Sequence, residues 1–266
     1  MNLLCPICGE ILEKTDRTYR CGSGHTFDLA RQGYLHLLPV QNKRSLNPGD
    51  TREQVLSRRA FLEAGFYSPI ADTLCAAAQK YNIRGPVLDI GCGEGYYSTK
   101  VAAALNAPLT GLDISKEAVR CAAGKYKNAL WICGSAARLP FPDRSAGLVM
   151  SLFALTVAEE FARVLEDGGL YFQVLAEEDH LMGLKSIIYP TLLHKEKNTA
   201  PTLPGFMLAE QIPIRFSFTV EGEQVMHLLS MTPHVYRISK EGAARLAATQ
   251  SLTDTASCVL NIYRKD

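Results

Sequence analysis

The sequence predicts an α/β fold: a seven-stranded sheet with helices on both faces, preceded by a small module of different composition. Three observations predict it. From residue 79 onward, short runs rich in Val, Ile and Leu alternate with helical patterns, as in a parallel sheet covered on both sides. One run, Val87–Ile90, ends in Gly91, Gly93 and Gly95, a strand-to-helix turn whose backbone can approach a ligand without Cβ obstruction. Near the start, Cys5, Cys8, Cys21 and His25 stand in the pattern C-x2-C-x12-C-x3-H.

The 266 residues leave room for one large domain and a small one, and 47% hydrophobic with 21% charged residues excludes a disordered chain. The longest apolar runs fall well short of the roughly 20 residues that span a bilayer, so no membrane partner is expected. Met1 to Cys5 carries no secretory signal pattern, which makes the cytoplasm the default location. With 28 Lys and Arg against 27 Asp and Glu, overall charge gives no support for nucleic-acid binding. Its distribution does: residues 14–59 hold nine basic and four acidic residues, a local net of +5. Lys43, Arg44, Arg58 and Arg59 are the candidates for phosphate contacts, although such an excess also serves merely to solvate a loop and a helix face.

Taken in order, the first 39 residues read as a zinc-ribbon-like domain. In a reducing compartment the two short-spaced pairs match tetrahedral ligation of one structural Zn2+ by Cys5, Cys8, Cys21 and His25, amid turn residues that a ligand knuckle needs. Phe27, Leu29, Tyr34, Leu37 and Leu38 are expected to finish its own miniature core. Residues 40–66 form a basic linker and a helix, Arg52 to about Ala64, stopped by Gly65 and presenting Arg58 and Arg59 outward. Tyr67 follows where it can reach a cleft, and residues 67–266 form the larger domain.

Within it, Asp89-x-Gly-x-Gly-x-Gly95 departs from the dinucleotide spacing G-x-G-x-x-G, its third glycine coming one residue early. The segment resembles the first motif of the class I (Rossmann-like) S-adenosylmethionine-dependent methyltransferases. Asp113, ending the run Leu109–Asp113, suits a carboxylate that accepts both ribose hydroxyls, and Cys133 to Asp143 looks like the adenine-holding segment of those enzymes. Ser135 stands there where many relatives carry Asp. The resemblance thus assigns Asp89, Gly91, Gly93, Gly95, Asp113 and Ser135 to the methyl donor, with S-adenosylhomocysteine as the product. Further strands are expected at 129–133, 146–152, 169–175, 213–220 and 255–263, with helices at 96–105, 116–126, 158–165 and 180–189.

The zinc pattern, Phe27-Asp28, Gly33-Tyr34, Leu37-Leu-Pro39, Pro48-Gly49-Asp50, Arg58 to Gly65, Asp89 to Tyr97, His180 to Lys185 and Met231-Thr-Pro233 together resemble the zinc-containing bacterial 23S rRNA (guanine-N1)-methyltransferases. Membership implies methylation of one guanine in a 23S rRNA hairpin. It also implies donor contacts at Tyr67, Gly95, Tyr96 and His180. A long hairpin against a near-neutral protein fits a homodimer whose two zinc modules share one RNA.

Guanine N1 carries a proton at neutral pH, so the proton must leave and the charge developing on O6 needs a donor. The bases near the expected cleft are His180, Glu177, Glu178 and Asp179 after the fifth strand, and Glu159 or Glu160 after the fourth; His180 and Glu159 represent the two groups. Phe153, Tyr189 and Phe206 are candidate stacking surfaces for the base. Two other functions fit parts of the pattern: a methyltransferase acting on a small metabolite, and a zinc-ribbon RNA-binding or ribosome-assembly protein with an inactive methyltransferase domain.

Overall fold

The computed structural model describes residues 2–39, 48–192 and 196–266, so Lys43 and Arg44 lie outside the described residues. Strands β1 (Leu3–Leu4), β2 (Ile11–Thr15), β3 (Thr18–Arg20) and β4 (Thr26–Asp28) pair in that order as a small antiparallel sheet. Next come β5 (Tyr34–His36), α1 (Arg52–Glu63), α2 (Ser68–Lys80), β6 (Val87–Ile90), α3 (Tyr96–Leu105), β7 (Leu109–Asp113), α4 (Lys116–Lys125) and β8 (Leu130–Cys133). The chain continues through β9 (Ala146–Leu152), α5 (Ala158–Val164), β10 (Leu165–Ala176), α6 (Met182–Ile188), β11 (Phe206–Glu221), α7 (Glu223–Ser230), α8 (Lys240–Ala247) and β12 (Ser251–Lys265).

The large sheet runs β11-β12-β10-β9-β6-β7-β8-β5, parallel from β10 to β5 and antiparallel at its β11–β12 edge. The seven expected strands are all present. The eighth is β5, which leaves the first 39 residues to pair with β8, Tyr34 opposite Trp131. The chain order reverses between β6 and β9, which opens a crevice beyond their carboxyl ends.

Alternate strand residues enter opposite cores, Val87 one and Leu88 the other. Apolar residues of α1, α2, α3, α4, α6, α7 and α8 fill the first core; α5 and the zinc-ribbon module fill the second, where Leu3, Leu12 and Tyr19 join Ile132, Leu139 and Phe141. The expected separate miniature core is therefore replaced by a shared one, because so small a sheet buries too little surface alone. Leu4 N–H also donates to the Pro140 carbonyl at 2.9 Å.

Local chemistry sets the other element ends. Thr51 and Gln54 form a capping box at the start of α1, and Gly65, at φ +85°, follows its end. The helix expected from 180 starts only at Met182, since Leu181 is left-handed at φ +56° and the first N–H groups of α6, from Gly183 and Leu184, are accepted by the Asp254 carboxylate of β12. Helices α7 and α8 were not expected from the sequence. Phe206 is buried against Tyr171 and Tyr263 and is a core residue, not a stacking surface. No helix among the described residues is long and apolar enough to cross a membrane.

Candidate functional site

One ligand atom from each of Cys5, Cys8, Cys21 and His25 lies within 4.8 Å of the others. His25 Nδ1 is 3.3 Å from Cys21 Sγ and 3.6 Å from Cys5 Sγ, and Cys8 and Cys21 sulfurs are 3.6 Å apart. These are the edges of a tetrahedron with metal–ligand bonds of about 2.0–2.3 Å. The Glu10 carboxylate accepts from Ser23 N and Oγ, tying the first knuckle to the second. Four protein ligands leave no position for water or substrate, so the site is structural.

A cleft of about 1920 Å³ opens beyond β6 and β9. Its floor is the glycine turn. Gly91 and Gly95 sit at φ +82° and +86°, and a Cβ there would meet Ala154 Cβ at 2.6 Å and Trp131 Cη2 at 2.4 Å. Asp113 Oδ2 accepts from Gly93 N at 2.8 Å and Oδ1 accepts from Ser115 N at 2.8 Å, which aims the carboxylate along the cleft wall. Tyr67, Asp89, Gly91, Gly93, Tyr96, Asp113, Ser135 and His180 all line this cleft, and Gly95 closes the turn. The structure thus gathers the donor-site candidates from α2, α3, three strand ends and the turn after β10.

Burial dominates the electrostatics. Asp89 is buried with Oδ1 unpartnered, and desolvation pushes its carboxyl up to about 7. Glu94, within the glycine turn, is buried with neither oxygen hydrogen-bonded, and burial pushes it up to about 7 as well. Asp113 is raised by burial too, against the opposing pull of the Ser115 and Gly93 N–H groups. An ammonium near Asp89 would satisfy its orphaned oxygen, and a ribose at Asp113 would take up the remaining acceptor capacity. At the turn itself, three acids, Asp89, Glu94 and Asp113, surround the glycines, a poor setting for a pyrophosphate. The residues therefore fit S-adenosylmethionine.

The site's other end is assembled by tertiary packing. His180 Nδ1 accepts the Ser257 N–H at 3.1 Å, and its Nε2 faces the Tyr67 hydroxyl at 3.5 Å. Burial lowers its pKa to about 4. The imidazole is thus neutral with its lone pair spent on Ser257, which corrects the expectation of His180 as a base and leaves it lining the cleft. Glu159 is exposed on α5 and outside the cleft, which removes it as a catalytic candidate; Glu160 is occupied by Arg163 and Leu139 N. Phe153, 43% exposed at φ +53°, leans over the His180 ring with centroids 6.2 Å apart. Tyr189 also lines the cleft, its hydroxyl 2.8 Å from His234 Nδ1. Lys185, Lys197 and Arg237, which the sequence did not single out as site residues, line the same end. Lys185 closed the motif that begins at His180 and Lys197 lay in the 190–204 insertion, but neither position nor that of Arg237 carried a spacing that pointed to the cleft.

Arg58 and Arg59 do not point outward as expected. Arg58 lines the cleft, pairs with Asp50 and lies 3.4 Å from the Met231 carbonyl. Arg59 pairs with Glu63 at 2.8 Å and reaches Cys121 Sγ at 3.3 Å. Helix α1 packs toward the body of the protein, and both guanidinium groups find partners there.

Known proteins share both parts of this geometry. Residues 3–46 match the zinc-ribbon family model described as RlmA, N-terminal, and residues 87–169 match the model described as Methyltransferase domain. A Streptomyces fradiae protein named 23S rRNA (guanine(748)-N(1))-methyltransferase is 33% identical over 254 residues, covering 92% of this chain and 90% of its own length. A demethylmenaquinone methyltransferase of Chlorobaculum tepidum (strain ATCC 49652 / DSM 12025 / NBRC 103806 / TLS) is 29% identical over 126 residues, covering only 45% of this chain and 50% of its own. A solved methyltransferase-type structure from Anaeromyxobacter dehalogenans superposes with a TM-score of 0.51 at 17% identity, over 71% of this chain and 95% of that one, a likeness of fold.

Proposed function

Since the chain belongs to the family of 23S rRNA (guanine-N1)-methyltransferases, we propose that it acts in the cytoplasm on one hairpin of 23S rRNA, docked by the zinc module and presented to the cleft. It transfers a methyl group from S-adenosylmethionine to guanine N1 in 23S rRNA, leaving S-adenosylhomocysteine, and its zinc ion is structural. The observation that carries the docking reading is the reach of one cleft, from Pro6 of the zinc knuckle past the glycine turn to Lys197. Its roughly 1920 Å³ exceeds the ~300–1,000 Å³ of small-ligand sites, leaving room for a nucleotide beside the donor.

In this reading residues 1–39 dock RNA, residues 40–66 join the parts, and residues 67–266 perform the transfer. Tyr67, Asp89, Gly91, Gly93, Gly95, Tyr96, Asp113, Ser135 and His180 hold the donor. When bound, it supplies a methyl on a sulfonium, ready for in-line displacement. The protein's part is to hold both reactants in line and exclude water. Phe153 offers its ring to the extruded guanine; a left-handed backbone costs a non-glycine residue about 1–3 kcal/mol and is retained here at the cleft mouth. Lys43 and Arg44 contact phosphates, and a homodimer brings two zinc modules to one hairpin.

Labelled methyl transfer to protein-free 23S rRNA, followed by mapping the reverse-transcription stop that N1 methylation causes, tests the reading. A stop at one hairpin guanine supports it; label in a small metabolite and none in RNA would favour the metabolite enzyme. Sedimentation with and without the hairpin tests the dimer.

A further inference from the structure

We infer that Lys185 and Lys197, with Arg237 beside them, form a phosphate clamp at the acceptor end of the cleft, gripping the RNA backbone next to the extruded guanosine; this rests on the 23S rRNA reading above. The cleft has two ends of opposite character. At the glycine turn stand Asp89, Glu94 and Asp113, a setting for a cationic sulfonium donor. Beyond His180 the same cleft is lined by Lys185, Lys197 and Arg237. Guanine itself is neutral and needs no cation, whereas the nucleotide that carries it into the cleft brings a phosphodiester.

Backbone groups hold both ammonium groups in place. Lys185 Nζ, from α6, donates to the Glu178 carbonyl at 3.0 Å and makes a long contact to Met182 Sδ at 3.9 Å. Lys197 Nζ donates to the carbonyls of Ala176 and Glu177 at 3.3 and 3.0 Å. Two side chains from different segments thus converge on three consecutive carbonyls where β10 ends. Carbonyls orient an ammonium without neutralising it, and three donors leave each lysine one for an incoming oxygen.

Lys185 is half-buried. Burial, and then the charge of Lys197, push it below the ordinary lysine value, although Asp254, Asp179 and Glu178 pull the other way. A phosphate oxygen between the two ammonium groups would relieve both the desolvation and the repulsion. Arg237 belongs to the same cluster. His234, its Nδ1 2.8 Å from the Tyr189 hydroxyl, is held below the ordinary histidine value by burial and then by Lys185, Arg237 and Lys197, so the field of all three reaches one imidazole. Phe153 leans over His180, and Lys185 is anchored two residues before that histidine, which sets stacking surface and clamp side by side. Such a clamp reads no sequence; it fixes how far the extruded nucleotide enters. The donor's carboxylate offers the same kind of oxygen, and the experiment separates the two.

The test is a double-mutant cycle between protein and RNA. A synthetic hairpin with one uncharged methylphosphonate linkage, on the 5′ or the 3′ side of the target guanosine, is ligated into 23S rRNA. It is methylated by wild type, Lys185→Met, Lys197→Met, Arg237→Met and Lys185→Arg, with calorimetry for donor affinity and melting curves for the fold. In wild type, one of the two linkages should lower kcat/KM about 10–100-fold, through lost charge-assisted hydrogen bonds. In Lys185→Met and Lys197→Met the same linkage should cost only about threefold or less, since the contact is already missing, and donor affinity should be unchanged. Arg237→Met should remove a smaller part of the penalty, and Lys185→Arg, which keeps the charge, should retain most of it. A penalty undiminished in both Met variants, or no penalty in wild type from either linkage, overturns the clamp. A donor affinity about tenfold weaker in these variants, with melting unchanged, assigns the lysines to the donor carboxylate and overturns it too. If wild type leaves unmodified 23S rRNA unmethylated, the parent reading fails, which is a different result.

Discussion

Asp113 Oδ2 accepts the Gly93 N–H at 2.8 Å, so the end of one strand clamps the turn that follows its neighbour. The carboxylate proposed to face the donor ribose thereby also shapes the glycine turn. Asp113→Ala should weaken S-adenosylmethionine binding by about 2–4 kcal/mol, through missing charge-assisted hydrogen bonds and a loosened turn. Titration calorimetry measures it, and unchanged affinity would take Asp113 out of the site.

Gly95→Ala tests the floor of the cleft. A Cβ there combines a left-handed backbone with a 2.4 Å approach to Trp131, together costing about 2–4 kcal/mol of stability. Urea unfolding should show the loss, and Trp131→Phe in the same chain should restore part of it. A second substitution that adds further loss would mean that the indole is not what the new methyl group meets.

The buried Glu94 predicts a pH effect on stability. Its folded value, about 7, lies above the ordinary 4.5, so between those values the folded protein holds a proton that the unfolded chain has released. Stability contributed on the acid side is lost as pH rises through that window. Glu94→Gln should therefore match wild type near pH 4 and exceed it at pH 8 by on the order of 2–3 kcal/mol. Parallel stability curves for the two proteins would contradict this.

Cys21→Ser should release zinc, abolish rRNA methylation and lower the thermal midpoint of the whole protein, because Leu3, Leu12 and Tyr19 share a core with Leu139 and Phe141. Metal analysis and calorimetric melting decide it. A melting curve indistinguishable from wild type would restore the independent-module view.

Salt dependence separates the basic residues. Lys43→Ala with Arg44→Ala should flatten the slope of log affinity against log salt by roughly 0.7–0.9 for each phosphate no longer neutralised, about equally for cognate and unrelated hairpins. Arg59→Ala should leave the slope unchanged, because that guanidinium is engaged by Glu63. A flattened slope in the Arg59 variant would show that it exchanges Glu63 for phosphate.

Local spacing and strand periodicity encode part of this protein before any folding is considered. Cys5, Cys8, Cys21 and His25 announce a metal site because a tetrahedral ion needs two short-spaced pairs, and the structure brings their ligand atoms within 4.8 Å. Asp89, the three glycines and Asp113 announce a donor site because a tight turn between buried strands has few solutions. Other features emerge only from packing. Strand β5 joins the large sheet at the β8 edge, where Tyr34 enters the first core and Leu35 the second, a burial that the small module could not offer by itself. His180 lost its standing as a base through one N–H from Ser257, 77 residues away, and packing added the Met231 carbonyl and the Cys121 sulfur to the local partners of Arg58 and Arg59. Protonation and the direction a side chain takes depend here on neighbours distant in the chain. For that reason they became legible only when the chain was folded.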